Sequence, residues 1–171
     1  MICTTRNASI RLLTFREGLL SRLGHDLQLT LEEFSLTIDP ETGEVQGRFF
    51  PARLVVDGSV ERGVVRPDGL KARDKAQIAR NVQRDVLHVT RYPHITFEGA
   101  LSDDGAWVKG ALTMVGQSHP IEVPFERRGG RLQGEVSLTP SRWGIPPYTA
   151  LLGGIRLQDR VILRFDLPDP G

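Results

Sequence analysis

Histidine is the residue type in this chain with the widest range of chemistry, because an imidazole can ligate a metal ion or move a proton near neutral pH. The four histidines are His25, His88, His94 and His119. None lies at a spacing typical of metal ligands, and neither His-Glu-x-x-His nor Cys-x-x-Cys occurs in the sequence. The pattern therefore favours polar residues at the surface and at strand ends over a shared metal site.

His25 and Asp26 form the most suggestive pair, since they follow a glycine at the entry to a predicted strand. A histidine beside a carboxylate can act as a general base or as an oriented hydrogen-bond donor. Neighbouring residues on a strand, however, point to opposite faces. Two interpretations stay open: His25 is an acid/base group, or Asp26 fixes a turn while His25 completes a polar rim.

Nucleophilic catalysis and phosphate binding have little support in the sequence. No serine lies in a Gly-x-Ser-x-Gly turn, and Ser118 and His119 precede Pro120 in a turn-like segment. Gly153 and Gly154 are not followed by a helical pattern, which a phosphate-binding loop requires. We therefore predict no catalytic residue, no metal and no resident cofactor.

Composition narrows the class of protein further. The chain has 171 residues, with 22 Lys+Arg against 21 Asp+Glu, so its net charge of +1 does not suit a general nucleic-acid binder. The 39% hydrophobic and 25% charged residues are typical of a globular protein, and the length suits one domain over residues 1–171. Cys3 is the single cysteine, which excludes an internal disulfide framework.

The sequence also bears on membranes and location. Residues 1–15 lack the basic region and apolar run of a signal peptide. No stretch of about 18 apolar residues is present, so no membrane-spanning helix is predicted. From these two observations we expect a cytoplasmic protein.

Alternation of apolar and polar residues recurs from end to end and predicts about nine strands. Residues 27–31 alternate in one phase and residues 34–38 in the opposite phase, which predicts a bulge or kink near Glu32 and Glu33. Short glycine-containing joints of hairpin type separate the strands, at Gly43, Gly105, Gly129 and Gly130. Successive strands are therefore predicted to be antiparallel neighbours.

One segment, residues 71–87, departs from this alternation and contains no glycine or proline. Ile78, Val82 and Val86 recur at every fourth position, which predicts an amphipathic helix that ends before Tyr92 and Pro93. The lysines and arginines on its other face alternate with aspartates, a pattern typical of a solvated surface.

About nine strands cannot remain an open sheet without long exposed edges, so closure into a barrel or sandwich is predicted. An eight-stranded barrel is either filled by side chains or holds one small ligand. Gly47, Gly99, Gly110 and Gly134 favour the barrel, where they would let strands bend or would leave space for a ligand. An exposed barrel edge would permit a homodimer.

Two runs of residues in the middle of the chain carry a family resemblance. The first supplies Val89, Arg91, Tyr92, Pro93, Ile95, Thr96 and Phe97, and the second supplies Gly110, Leu112, Thr113, Gly116, Pro120, Val123 and Phe125. Together with Arg73, Asp74 and residues 143–148 and 159–163, they strongly resemble the YceI-like family of lipid- and polyisoprenoid-binding proteins. The segment around His25 departs from the usual opening of that family.

The resemblance implies an all-β protein with one main α-helix, folded as an extended antiparallel lipocalin-like β-barrel. It implies an apolar channel for a polyisoprenoid, an isoprenoid quinone or a fatty-acid-like lipid, bound without catalysis and with no cofactor beyond that lipid. Each buried CH₂ contributes about 0.8 kcal/mol, so contact area alone can hold such a chain.

Ligand-lining positions follow from the apolar faces of this barrel and helix: Phe34, Leu36, Phe49, Leu54, Val56, Ile78, Val82, Ile95, Phe97, Leu112, Met114, Val123, Phe125, Leu138, Trp143, Leu163 and Phe165. Two alternatives stay open. One is an enzyme that acts on a hydrophobic substrate in the cavity with His25 as acid/base. The other is a stress-response or interaction module with a filled core.

Overall fold

Antiparallel strands make up most of this protein in the computed structural model, which describes residues 1–17, 25–102, 104–150 and 155–171. Gly153 and Gly154, discussed above, therefore lie outside the described residues. The strands in chain order are β1 (Ile2–Cys3), β2 (Ser9–Glu17), β3 (Asp26–Leu31), β4 (Phe34–Ile38), β5 (Glu44–Phe49), β6 (Leu54–Glu61), β7 (Val64–Arg66), β8 (Ile95–Leu101), β9 (Trp107–Met114), β10 (Gln117–Arg128), β11 (Arg131–Leu138), β12 (Thr149–Ala150) and β13 (Ile155–Pro168).

All of these strands belong to one antiparallel sheet. Its order is β1-β4-β5-β8-β9-β10-β11-β13-β2-β3-β6-β7, with β12 paired to β13. The sheet curls into a half-barrel and turns its apolar face toward a common interior, where most of the buried hydrophobic side chains form one cluster. Curling limits the exposed edge of a many-stranded sheet. The predicted all-β, barrel-like fold with one main helix is thereby confirmed.

The predicted kink at Glu32 and Glu33 is also confirmed. It lies between β3 and β4, which are near opposite ends of the strand order. β3 pairs with β2 and β6, whereas β4, directly after the kink, pairs with β1 and β5. The backbone N–H of Glu32 donates to the carbonyl of Arg53 at 3.0 Å, and that of Phe50 donates to Glu33 at 3.1 Å. The buried positions change from odd to even numbers across the kink, so both strands face the same interior.

One of the two roles predicted for the strand glycines, leaving space for a ligand, is wrong. A Cβ atom on Gly47 would lie 2.7 Å from Cζ of Phe49, and one on Gly110 would lie 2.7 Å from Cζ of Phe97. Gly99 and Gly134 have the same relation to the rings of Phe97 and Phe165. The space beside these glycines is therefore filled by the protein's own aromatic rings, and it is not left for a ligand.

In the described part of the chain, one α-helix lies against the sheet: α1 (Ala72–Asn81), which continues into a π-helical turn at Val82–Val86. This agrees with the helix predicted for residues 71–87. Lys75 Nζ donates to the backbone carbonyl of Asp57 in β6 at 2.7 Å, which ties the helix to the sheet. No residue of the helix or the turn is fully buried, although its apolar stripe packs against the core. The helix therefore packs against the core while its apolar stripe stays partly exposed.

Gly47→Ala is expected to lower the free energy of unfolding by about 1–3 kcal/mol, because the new methyl group would displace the ring of Phe49 from a packed site. In a Phe49→Ala background the same substitution should be neutral or stabilising by about 0.5–1 kcal/mol, because alanine suits a strand better than glycine. Denaturant unfolding of the wild type, the two single variants and the double variant measures the coupling between Gly47 and Phe49.

Gly110→Ala serves as the comparison for Gly47→Ala. Its Cβ would lie 2.3 Å from the backbone carbonyl oxygen of Glu98, which cannot rotate away as a side chain can. It should therefore be the more destabilising of the two. An undiminished cost of Gly47→Ala without the Phe49 ring would show that the ring is not what requires glycine.

Candidate functional site

Three apolar side chains line the interior at the middle of neighbouring strands. Val136 lies opposite Leu163, and Leu163 lies opposite Leu12. We call these three residues the inner row. Leu132 and Leu138, which share the inward face of β11 with Val136, are buried, whereas each residue of the inner row is partly exposed. Mid-strand, inward-facing residues of a filled barrel are normally buried, so the inner row is less completely covered than its neighbours on the same face.

The positions predicted to line the ligand fall into two groups by burial. Eleven are buried: Phe34, Leu36, Leu54, Val56, Phe97, Leu112, Met114, Val123, Phe125, Leu138 and Trp143. Six are partly buried and pack against the core: Phe49, Ile78, Val82, Ile95, Leu163 and Phe165. The second group keeps some exposed surface, and ligand contact stays a prediction for both groups.

Sequence reasoning missed two members of the inner row, Leu12 and Val136. The signal that could have found them is present, because each alternates in phase with a buried residue of its own strand. Ile10 is buried two residues before Leu12, and Leu138 is buried two residues after Val136. Which inward positions stay accessible, however, depends on how the strands and the helix pack.

Trp143 closes a gap in the strand pairing. β10 pairs with β9 over residues 117–124 but with β11 only from Phe125 onward. A 3-10 helix, Pro140–Trp143, contacts both β10 and β13 beside this gap. Trp143 has 0% exposure, and its indole N–H donates to the carbonyl of Leu112 in β9 at 2.9 Å. The ring of His119 packs edge-on against the indole, with 5.3 Å between the ring centroids.

A groove of about 260 Å³ lies beside the segment that follows Trp143. It is lined by Asp85, Val86, His88, Val115 and residues 144–149, and we call it the rim groove. Val86 and Val115 pack against the core. The lining therefore combines apolar residues, two of which pack against the core, with the polar side chains of Asp85, His88, Tyr148 and Thr149.

Hydrogen bonds fix the polar groups of the rim groove. Asn81 Nδ2 donates to Tyr148 Oη at 3.1 Å, which connects the helix to the segment after Trp143. Arg84 donates to both carboxylate oxygens of Asp85, at 2.6 and 2.9 Å. The hydrogen bonding from Arg84 lowers the pKa of Asp85, so this carboxylate is ionised at neutral pH and its charge is matched by the guanidinium.

His25 and Asp26 do not form a buried catalytic pair. His25 is exposed, and Asp26 Oδ1 accepts the backbone N–H of Arg16 at 2.9 Å. This arrangement agrees with the interpretation in which Asp26 fixes local structure. Among the described residues, no group of three or more His, Cys, Asp or Glu side chains could hold a metal ion, and no helix is long and apolar enough to cross a membrane.

Comparison with known proteins gives a consistent result. The family model of the YceI-like domain matches residues 25–168. The fold is similar to Burkholderia cenocepacia BcnA, with TM-score 0.61, 16% identity, and 93% of this chain and 94% of that chain covered. A polyisoprenoid-binding domain from Saccharophagus degradans, implicated in plant cell wall breakdown, gives TM-score 0.64 and 10% identity, with 99% and 97% covered.

A Campylobacter jejuni YceI protein gives TM-score 0.55 and 14% identity, with 81% of each chain covered. At sequence identities this low, the structural similarity shows a shared fold and nothing further. No curated protein matches the chain.

Trp143→Phe is expected to lower the free energy of unfolding by about 1–3 kcal/mol, because it removes the N–H that satisfies a buried carbonyl of Leu112. Denaturant unfolding measures the loss. Trp107→Phe is the matched control, since Trp107 is 37% exposed and the same change there should stay within about 0.5 kcal/mol. Equal effects at the two positions would contradict the role assigned to Trp143.

Proposed function

Since this chain belongs to the YceI-like domain family, we propose that it binds a long apolar molecule inside its barrel, without catalysis. The class of ligand is a polyisoprenoid, an isoprenoid quinone or a fatty-acid-like lipid, which the protein sequesters or transports. The observation that carries the proposal is the inner row, whose inward-facing apolar side chains keep accessible surface. The fold shared with a polyisoprenoid-binding domain supports it.

Apolar contact supplies the affinity in this proposal. A buried CH₂ contributes about 0.8 kcal/mol, so an isoprenoid of several units needs few polar partners. The inner row lies on β2, β11 and β13, and the partly buried stripe of the helix supplies Ile78, Val82 and Val86. A ligand that fills this space would remove from water the apolar surface that the protein alone leaves exposed.

Binding should depend on chain length. Farnesol, geranylgeraniol and solanesol form a series with one head group, and the affinity should rise by about fourfold for each additional buried CH₂ until the interior is full. Native mass spectrometry detects the complexes, and displacement of a fluorescent fatty acid gives relative affinities. Absence of binding by every member would favour the filled-core module.

Two substitutions in the inner row test where the chain binds. Val136→Thr and Leu163→Asn place polar atoms on the accessible inner surface and should weaken binding of geranylgeraniol by about tenfold or more, because a buried polar group without a partner is unfavourable. Ser137→Asn is the matched control, because Ser137 is exposed on the opposite face of β11. The His25→Ala variant should bind as the wild type does. Loss of binding in the Ser137 variant alone would place the ligand outside the barrel.

A further inference from the structure

Positive charge in this chain is concentrated in the helix and the residues that follow it. Residues 71–91 contain six lysines and arginines against two aspartates, whereas the rest of the chain contains 16 basic against 19 acidic residues. This segment is therefore positive and the remainder is negative, although the whole chain is nearly neutral. Such an asymmetry acts locally, because exposed charges interact over roughly 8 Å at physiological ionic strength.

Four of these cations lie on the outer side of the helix. Arg73, Arg80 and Arg84 are separated by seven and by four residues, spacings that place side chains on one side of a helix. All three are exposed, as is Lys71 directly before the helix, whereas the apolar stripe packs against the core. The side chains of Arg73 and Arg84 are 84% and 74% exposed. We call Lys71, Arg73, Arg80 and Arg84 the basic face.

The aspartates of the helix neutralise only part of the basic face. Asp74 and Asp85 each pair with the arginine that precedes them, at 3.3 and 2.6 Å between Nε and Oδ1. Lys71 and Arg80 have no carboxylate partner among the described residues. Arg80 donates instead to the side-chain amide oxygen of Gln77 at 2.8 Å, which leaves its charge uncompensated. The basic face therefore keeps an excess of positive charge.

An anionic lipid bilayer has the chemistry that fits this face. Its surface is a layer of phosphate groups, which attracts clustered lysines and arginines. A long apolar molecule is poorly soluble in water, since each exposed CH₂ is unfavourable, and it therefore resides in a bilayer before and after a protein carries it. A bilayer on the basic face would lie one helix diameter, about 10 Å, from the core against which the apolar stripe packs.

We propose that the basic face docks this protein on an anionic lipid bilayer, where the protein collects or releases its apolar ligand. The exchange of ligand rests on the proposed function, whereas the docking itself requires no ligand. The attraction is electrostatic, so docking weakens as the salt concentration rises and is absent on neutral lipids.

Flotation of the protein with lipid vesicles tests the docking. Phosphatidylcholine vesicles that contain about 30% phosphatidylglycerol should bind the protein at low salt, and about 0.5 M salt should release it. Vesicles of phosphatidylcholine alone should not bind it. Equal binding to both kinds of vesicle, or none to the anionic kind, would overturn the proposal. So would tighter binding to a DNA duplex than to anionic vesicles of equal phosphate concentration.

Charge variants test whether the basic face is the surface that docks. The double variant Lys71→Gln and Arg80→Gln should bind the anionic vesicles about 25-fold more weakly, about fivefold for each charge removed. The double variant Arg48→Gln and Arg128→Gln is the matched control, because both arginines are exposed on other elements, β5 and β10. An equal loss in the control would show that net charge, and not the basic face, governs docking.

A substitution that increases the charge of the basic face gives the opposite sign. Asp74→Asn removes the carboxylate that neutralises Arg73 and should tighten docking by about fivefold. Because this variant gains affinity, a loss of folded protein cannot imitate its effect. Unchanged or weaker docking of Asp74→Asn would overturn the assignment.

Transfer of a fluorescent fatty acid from the protein to vesicles separates this inference from the proposed function. The transfer rate should rise with the phosphatidylglycerol content and fall about tenfold or more in the Lys71 and Arg80 double variant, whose affinity for the fatty acid should equal that of the wild type. A rate that is independent of both would overturn the role of docking in exchange and leave the barrel as the binding site. Docking by a protein that binds no apolar ligand would overturn the proposed function alone.

Discussion

The inner face of this sheet depends on a change of side-chain phase at Glu32 and Glu33. A strand alternates strictly, so a chain that passed straight from β3 into β4 would turn one of the two apolar sets outward. The kink lets both sets point to the same interior, and all of their buried residues belong to one cluster. A buried leucine, isoleucine or phenylalanine contributes about 1.5–3 kcal/mol, so exposing the three buried residues of β4 would remove a large share of a typical net stability of about 5–15 kcal/mol.

The interior is filled unevenly. Some of its apolar surface is covered by the chain's own side chains, and some is only partly covered. On β5, β8 and β9, phenylalanine rings occupy the space that glycines leave, and the core there is closed by the chain's own atoms. On β11, β13 and β2, the inner row keeps accessible surface. Part of the apolar face is therefore closely packed by the chain's own side chains, and the inner row on the same face is less completely covered.

Trp143 links the closed part of the barrel to its rim. Its hydrogen bond to Leu112 anchors a segment that reaches the helix through Tyr148 and Asn81, and the backbone N–H of Leu157 in β13 donates to the carbonyl of Tyr148 at 3.0 Å. The residues of the family resemblance take part in the same packing, since Tyr92 covers Gly116 and Phe97 covers Gly99 and Gly110. In this chain, the aromatic residues and glycines of the resemblance are therefore packing partners.

The sequence alone determined the local elements, because alternation, helical spacing and turn glycines act over a few residues. It predicted the kink at Glu32 and Glu33, the helix and the antiparallel class, and through the resemblance the family. It did not determine what lies beside Gly47 or Gly110, nor that Leu12, Leu163 and Val136 form one accessible row. The rim groove likewise joins residues near positions 85, 115 and 148, whose proximity arises from strand pairing over long separations. Only the tertiary structure decided these features, because burial and accessible space depend on every element around a residue and a periodic pattern reports only on its own strand.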